Sequence, residues 1–91
     1  MNKYKLKGIW IPENILSSDL TLSEKFIFSI IKYLHQQANG CYATNEFFAS
    51  YLHISKVRVS IYITSLVDKK YIKRQFILDN KLYKRILTPL L

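Results

Sequence analysis

Apolar residues recur at helical spacing in the middle of this chain and mark out its first long helix. The stretch TLSE from Thr21 fits a capping box, in which a hydroxyl accepts from a backbone N–H three residues on and a carboxylate reaches back. The residues that follow predict a helix to about Asn39, with Gly40 as a left-handed stop. Its predicted buried face comprises Leu22, Phe26, Ile27, Ile30, Ile31 and Leu34.

The residues before Thr21 predict an extended segment and one helical turn. KLKGIWI at 5–11 alternates enough for a short strand or arm, and Pro12 suits the start of a helical turn over 13–17. After the long helix, residues 41–43 have room for a bridging strand and no more.

Two further helices are predicted with a tight turn between them. Thr44 is a good cap for a helix over 45–52, and Ser55 caps a third helix that runs to about Lys69. His53 and Ile54 form the turn. Two helices joined by so short a turn are typical of the helix-turn-helix arrangement. Candidate core residues of the second helix are Phe47, Phe48 and Leu52.

The third helix has two distinct faces when projected at about 100° per residue. One narrow sector holds Val59, Ile63 and Leu66, with Tyr62 at its edge, and is predicted to face the core. The opposite side, flanked by two cations, comprises Val57, Ser60, Ile61, Thr64 and Ser65, with Lys56 and Arg58 beside them.

That outer side suits a DNA major groove. Aliphatic groups can meet thymine methyls, hydroxyls can pair with base edges, and cations can reach guanine or phosphate. The competing interpretation is that Val57 and Ile61 bury against a partner protein or a second copy of the chain, because exposed apolar patches commonly mark interfaces.

The C-terminal residues predict a β-hairpin. YIKRQFIL (71–78) and KLYKRIL (81–87) flank Asp79-Asn80, two residues that tolerate the positive φ angles of a tight turn. With that turn, Arg74 lies opposite Arg85, and two like charges across a ladder repel. A phosphate between them would offset the cost, as would one at Lys73 or Lys84 on the other face. The hairpin is therefore predicted to be a wing along a DNA backbone.

The length and net charge of the chain limit which classes of protein it can belong to. At 91 residues the chain is long enough for one small domain, and its formal net charge is +8. Nine of the fourteen Lys and Arg lie in residues 53–91, against two acidic residues there. That imbalance favours a polyanionic partner, with an acidic protein or a membrane surface as alternatives.

The sequence gives little support for a disulfide, a membrane span, a metal site or a phosphate-binding loop. Cys41 is the single cysteine, which excludes an internal disulfide and favours a reducing, cytoplasmic setting. No stretch approaches the ~20 apolar residues of a membrane span. His35 and His53 lack partners at metal-ligand spacing, and no glycine-rich phosphate loop is present. We therefore expect a protein that is not an enzyme and needs no cofactor or metal.

Three segments, LTLSEKFIFSIIKYL, NGCYATNEFFASYLHIS and SKVRVSIYITSLVDKKYI, resemble the winged helix-turn-helix domains of bacterial transcription regulators and plasmid or phage replication initiators. The likeness covers roughly residues 20–78, and WIPENIL is similar to the lead-in of replication initiators. There are two departures: Lys70 stands where the family usually has Gly before the wing, and His53 where a Gly often closes the turn. At both positions the backbone is expected to be less regular than the family norm, which affects the angle of the wing.

The residues and the resemblance together predict an α+β fold, a small winged helix-turn-helix domain spanning 1–91. Its predicted parts are an N-terminal strand or arm (1–19), a helical core (20–70) with the helix-turn-helix at 45–69, and a hairpin wing (71–88).

The predicted function is sequence-specific binding of double-stranded DNA in transcription control or replication initiation. A homodimer is a further expectation, since a dimer reads two half-sites. The alternative is an interaction module that docks on a regulatory or replication protein. The predicted DNA-binding residues are Ser55, Lys56, Val57, Arg58, Ser60, Ile61, Thr64, Lys73, Arg74, Lys84 and Arg85.

Overall fold

Four helices precede a two-stranded antiparallel hairpin in the computed structural model, which describes residues 10–38 and 40–91. The predicted α+β fold class is confirmed. The predicted strand at 5–11 lies outside the described residues except for Trp10 and Ile11, which form no strand. The elements are α1 (Glu13–Leu16), α2 (Leu22–Ala38), α3 (Asn45–Leu52), α4 (Lys56–Asp68), β1 (Ile72–Asp79) and β2 (Leu82–Pro89).

The predicted capping box starts α2. The Thr21 N–H donates to Glu24 Oε1 at 2.9 Å, and the Glu24 N–H donates to Thr21 Oγ1 at 3.2 Å. Glu24 is buried, and Lys69 Nζ lies 3.4 Å from its Oε2. Burial by itself raises the pKa of Glu24, but hydrogen bonds from Ser65 and Thr21 and the charge of Lys69 hold that pKa below its usual value. The cap of α2 is thus also a link to the end of α4.

The caps predicted for the helix-turn-helix are confirmed as well. Thr44 Oγ1 accepts from the Phe47 N–H at 3.1 Å, and Ser55 Oγ accepts from the Arg58 N–H at 3.1 Å. These two hydroxyls fix where α3 and α4 begin, and therefore which side of α4 faces outward.

The core lies between α2, α4 and the base of the hairpin, but the buried face of α2 was only partly predicted. Leu22 is 63% exposed and Phe26 is 37% exposed, against the expectation that both are buried. α2 packs against both α4 and β2, so its buried side includes Phe28 rather than Leu22 and Phe26. The Phe28 ring meets the Tyr71 ring edge-on, with the ring centroids 6.1 Å apart. The fully buried core includes Ile27, Phe28, Ile31, Phe48, Val59, Ile63, Leu66 and Leu87.

The link between α2 and α3 forms the predicted bridge. The Cys41 carbonyl accepts from the Leu87 N–H at 2.9 Å, and Cys41 is buried. Gly40 is not the predicted left-handed stop, since its φ lies outside that region. A Cβ there would meet the Tyr42 ring at 3.1 Å, so the glycine is needed for close approach.

His53 and Lys70, the two departures from the family pattern, both adopt left-handed backbones. Their φ angles are 57° and 65°. After α4, the Lys70 N–H donates to the Val67 carbonyl at 3.0 Å and the Tyr71 N–H to the Leu66 carbonyl at 2.9 Å. This is a Schellman motif, in which glycine is the preferred residue at the left-handed position. The fold therefore holds a lysine where the backbone favours glycine.

Replacing Lys70 with Gly is accordingly expected to stabilise the fold, by up to about 1 kcal/mol, because glycine adopts positive φ without the Cβ penalty. Chemical denaturation of the purified variant measures the change. Lys70→Ala is the matched control: it removes the same charge and leaves the left-handed strain in place. If the two variants were equally stable, the strain argument would fail.

The hairpin forms as predicted, but its register is not the predicted one. The turn is Asn80-Lys81, with φ angles of 51° and 66°, rather than Asp79-Asn80. Arg74 consequently lies opposite Leu87, and Phe76 lies opposite Arg85. The predicted Arg74–Arg85 pair is wrong: placing the turn one residue later avoids the like-charge pair without any phosphate.

Candidate nucleic-acid interface

The outer face of α4, formed by Val57, Ser60, Ile61 and Thr64, is open to solvent over most of its length. Val57 is 70% exposed and Ile61 is 59% exposed, while Ser60 is exposed and Thr64 half-buried. On the opposite side of the helix, the core residues predicted for α4 are completely buried. The helix is therefore anchored on one side and presents aliphatic and hydroxyl groups on the other.

Two cations flank the start of this face. Lys56 and Arg58 are exposed, and the nearest anion to Lys56 is Glu46, with Nζ and Oε1 3.7 Å apart. Both partners of that pair are largely exposed, and such pairs contribute little to stability. Lys56 can therefore exchange Glu46 for a phosphate at small cost. Ser55 lies beside them, with its oxygen engaged in capping α4.

Arg74 connects the hairpin to the outer face of α4. Its Nη1 donates to Thr64 Oγ1 at 3.2 Å, and its side chain is otherwise exposed. This contact joins β1 to the outer face of α4 and was not predicted from the sequence. The remaining guanidinium donors are placed at the junction of hairpin and helix, where a phosphate beside α4 can be reached.

Arg85 is placed differently from the prediction, because its guanidinium points into the fold. Nη1 donates to Asn45 Oδ1 at 2.6 Å, and Nη2 donates to the Ala43 carbonyl at 2.7 Å. Burial lowers the pKa of Arg85, and the charge of Arg74 acts in the same direction. The geometry favours a positioning role, in which Arg85 holds β2 against the start of α3.

The other two predicted hairpin cations differ in how they are engaged. Lys84 Nζ forms an ion pair with Asp79 Oδ2 at 2.8 Å, and this contact raises the pKa of Lys84. Lys73 is exposed. Both lie on the face of the hairpin opposite to Arg74, since residues alternate across a strand.

Two features of this region were missed in the sequence. The first is the pairing of Asn45 and Ala43 with Arg85, which joins residues about 40 positions apart and leaves no local signal. The second is the apolar character of the end of the hairpin. Four side chains there are more than 60% exposed: Phe76, Leu78, Leu82 and Tyr83. In the sequence these residues belong to the two predicted strands of the hairpin, and the apolar runs 76–78 and 82–83 are the signal that could have indicated an exposed apolar surface.

These elements define a helix-turn-helix domain: α3 and α4 are joined by residues 53–55, and α4 presents an exposed face beside a hairpin. A family model described as a helix-turn-helix domain matches residues 18–72, more than half of the chain. The chain belongs to this family, and the class indicates DNA binding. No curated protein and no solved structure gives a significant match.

Within residues 10–38 and 40–91, no helix is long and apolar enough to cross a membrane. The same residues contain no cluster of His, Cys, Asp or Glu suited to hold a metal ion.

Proposed function

We propose that this protein binds double-stranded DNA in a sequence-specific manner, as a regulator of transcription or a factor in replication initiation. It places α4 in the major groove and the hairpin beside the backbone, and it catalyses no reaction. The observation that carries the proposal is the exposure of Val57 and Ile61 on the second helix of a helix-turn-helix, between Lys56 and Arg58.

The composition of the outer face distinguishes a groove-binding helix from an ordinary surface helix. A helix that only meets water gains nothing by exposing two β-branched aliphatic residues near its start. In a major groove, the same residues contact thymine methyl groups, while Ser60 and Thr64 offer hydroxyls to base edges. Lys56 and Arg58 supply the cations that hold the helix against the phosphates.

The hairpin contributes in this proposal mainly through Arg74 and Lys73. Arg74 bonds Thr64 and keeps donors available for a phosphate next to α4, and Lys73 is exposed on the other face. Arg85 acts indirectly by holding β2 against α3, and Lys84 reaches phosphate only by leaving Asp79.

A salt titration of duplex binding tests the proposal against the protein-interaction alternative. DNA binding that neutralises several phosphates weakens steeply as salt rises, because condensed counterions are released. We expect a linear fall of log affinity with log salt concentration. Flat or absent duplex binding, together with capture of a partner through Val57 and Ile61, would support the interaction module instead.

Lys56→Ala and Arg58→Ala are each expected to weaken binding to all duplexes to a similar extent and to lower the salt slope by about one unit, as loss of one phosphate contact does. Fluorescence anisotropy at several salt concentrations measures both quantities. Lys32→Ala is the matched control. It removes the same charge from α2, where Lys32 lines a cavity together with Trp10 and Pro12. An equal loss of slope in the control would mean that only net charge matters.

A further inference from the structure

The outer edge of β1 carries backbone groups that no other described residue uses. The sheet consists of β1 and β2, with Cys41 bridging to the far side of β2. Two hydrogen bonds show which residues of each strand bond across the hairpin and which point outward. The Leu90 N–H donates to the Tyr71 carbonyl at 2.8 Å, and the Leu87 N–H donates away from β1 to the Cys41 carbonyl. In an antiparallel ladder, every second residue bonds across the pair. The odd-numbered residues of β1 therefore bond to β2, and 74, 76 and 78 point their N–H and C=O groups outward.

Lys73 and Arg74 place charge on the first half of this edge, but residues 76–78 lack the features that usually protect a free strand. Natural proteins shorten such edges or place charges and proline on them. β1 is eight residues long and has no proline. Its second half is apolar and open, since Phe76 is 62%, Ile77 40% and Leu78 63% exposed. A hairpin that met only phosphates would be expected to carry cations at these positions.

We propose that the edge of β1 pairs with the edge of β1 in a second copy of the chain, antiparallel and centred on Phe76, to form a four-stranded sheet. Centring on Phe76 sets Phe76 opposite itself and Arg74 opposite Leu78 of the second copy. All three outward-pointing residues of each strand are then used, which gives about six backbone hydrogen bonds. A two-fold axis makes the contact closed and limits it to two copies.

Pairing of opposite charges favours a two-fold axis at Phe76 over an axis one residue earlier or later in β1. With the axis at Phe76, Lys73 lies opposite Asp79 of the second copy, and the pair occurs twice. An axis at Gln75 sets Lys73 against Ile77, and an axis at Ile77 sets Asp79 against Gln75. Opposite charges across a ladder stabilise it, whereas either shifted register loses both pairs. The contact between Asp79 and Lys84 is on the surface, so Asp79 is open to a second cation.

The pairing would bring two copies of α4 into one assembly. This consequence rests on the proposed function, because two helices on a two-fold axis read two half-sites of DNA. The pairing itself does not depend on DNA.

Cysteine crosslinking tests the register. Phe76→Cys should form a disulfide-linked dimer under mild oxidation, because directly opposed residues of a hydrogen-bonded pair have Cα atoms about 5.5 Å apart, within disulfide range. Ile77→Cys is the matched control: its twin in the second copy is a diagonal neighbour at about 7 to 8 Å and should crosslink far less. Native Cys41 is buried and its thiol pKa is raised by burial, so the parent chain should stay uncrosslinked. Equal crosslinking at 76 and 77, or none at 76, would overturn the proposal.

Sedimentation without DNA provides the second measurement. The interface is small, so we expect the parent chain to dimerise at micromolar concentration. Leu78→Pro removes an N–H that points away from β2, and proline is tolerated at such edge positions, so the monomer should keep its melting temperature. The variant should dimerise at least about tenfold more weakly. Each copy loses one hydrogen-bond donor at the interface, and the proline ring fits less well against the neighbouring strand. A parent chain that stays monomeric, or a Leu78→Pro variant that dimerises equally, would contradict the pairing. DNA binding by a monomer would leave the proposed function intact.

Discussion

Ile63→Ala is expected to lower the free energy of unfolding by roughly 2 to 5 kcal/mol, the range for deleting a large aliphatic side chain from a packed core. Ile63 is completely buried, one turn from Val59 and three residues before Leu66, which are buried as well. α4 packs against α2 and β1. Because close-packed neighbours relax only partly around a deleted side chain, we expect a cavity to remain. Thermal or denaturant unfolding of the purified variant measures the loss.

Ile61→Ala is the control for this experiment, because it makes the same truncation two residues earlier on the same helix. Ile61 is 59% exposed, so its loss should change stability by less than about 0.5 kcal/mol. The pair of variants therefore tests which side of α4 faces the core. An Ile63→Ala protein that melts like the parent and yet loses DNA would mean that the helix is rotated from the orientation described.

Ile61→Ser is expected to relax base preference at one or two base pairs by about 1 to 3 kcal/mol while leaving non-specific affinity nearly intact. An aliphatic side chain gains little from a base edge except at the thymine methyl group, so the preferred site should contain A·T pairs under Val57 and Ile61. Serine keeps the helix and removes that contact. Competition binding with duplexes that differ at single base pairs measures the preference.

Leu16→Ser serves as the control for loss of exposed apolar surface. Leu16 is 54% exposed on α1, which is not part of the helix-turn-helix, and its replacement should change neither the preference nor the affinity. Sedimentation of the Ile61→Ser variant in the same buffer separates the two hypotheses. If assembly were lost while base preference stayed the same, the outer face of α4 would be a protein interface and not a base-reading surface.

Features set by neighbouring residues were predictable from the sequence. The hydroxyls of Thr21, Thr44 and Ser55 cap their helices through bonds that span three residues, which a local pattern contains in full. The two faces of α4 follow from helical spacing once its start is fixed. The exposure of Val57 and Ile61 was therefore predictable, and the core side of α4 with it.

The hairpin register was not predictable in the same way. Asp79-Asn80 and Asn80-Lys81 are both acceptable two-residue turns by local preference, although lysine tolerates positive φ less well than aspartate. The choice is made by contacts beyond the turn: the observed register separates Arg74 from Arg85 and brings Asp79 within 2.8 Å of Lys84. The strain at Lys81 is offset by those contacts.

The two hairpin arginines show how far tertiary contacts alter a prediction made from charge. Both were predicted to hold phosphates, but Arg85 is engaged by Asn45 and Ala43, while Arg74 reaches Thr64 with one nitrogen. Charge pattern identifies a basic region. It does not identify which cations the fold uses to hold itself together, because those partners lie far away in the chain.

Selection of bound sequences from a random duplex pool, at near-physiological salt, tests the central claim most directly. A base-reading α4 predicts that the parent chain enriches one motif with A·T pairs at its centre of contact, and that Ile61→Ser enriches a motif degenerate at one or two of those positions. A pool that stays random with the parent chain, or a motif that Ile61→Ser leaves unchanged, would contradict it.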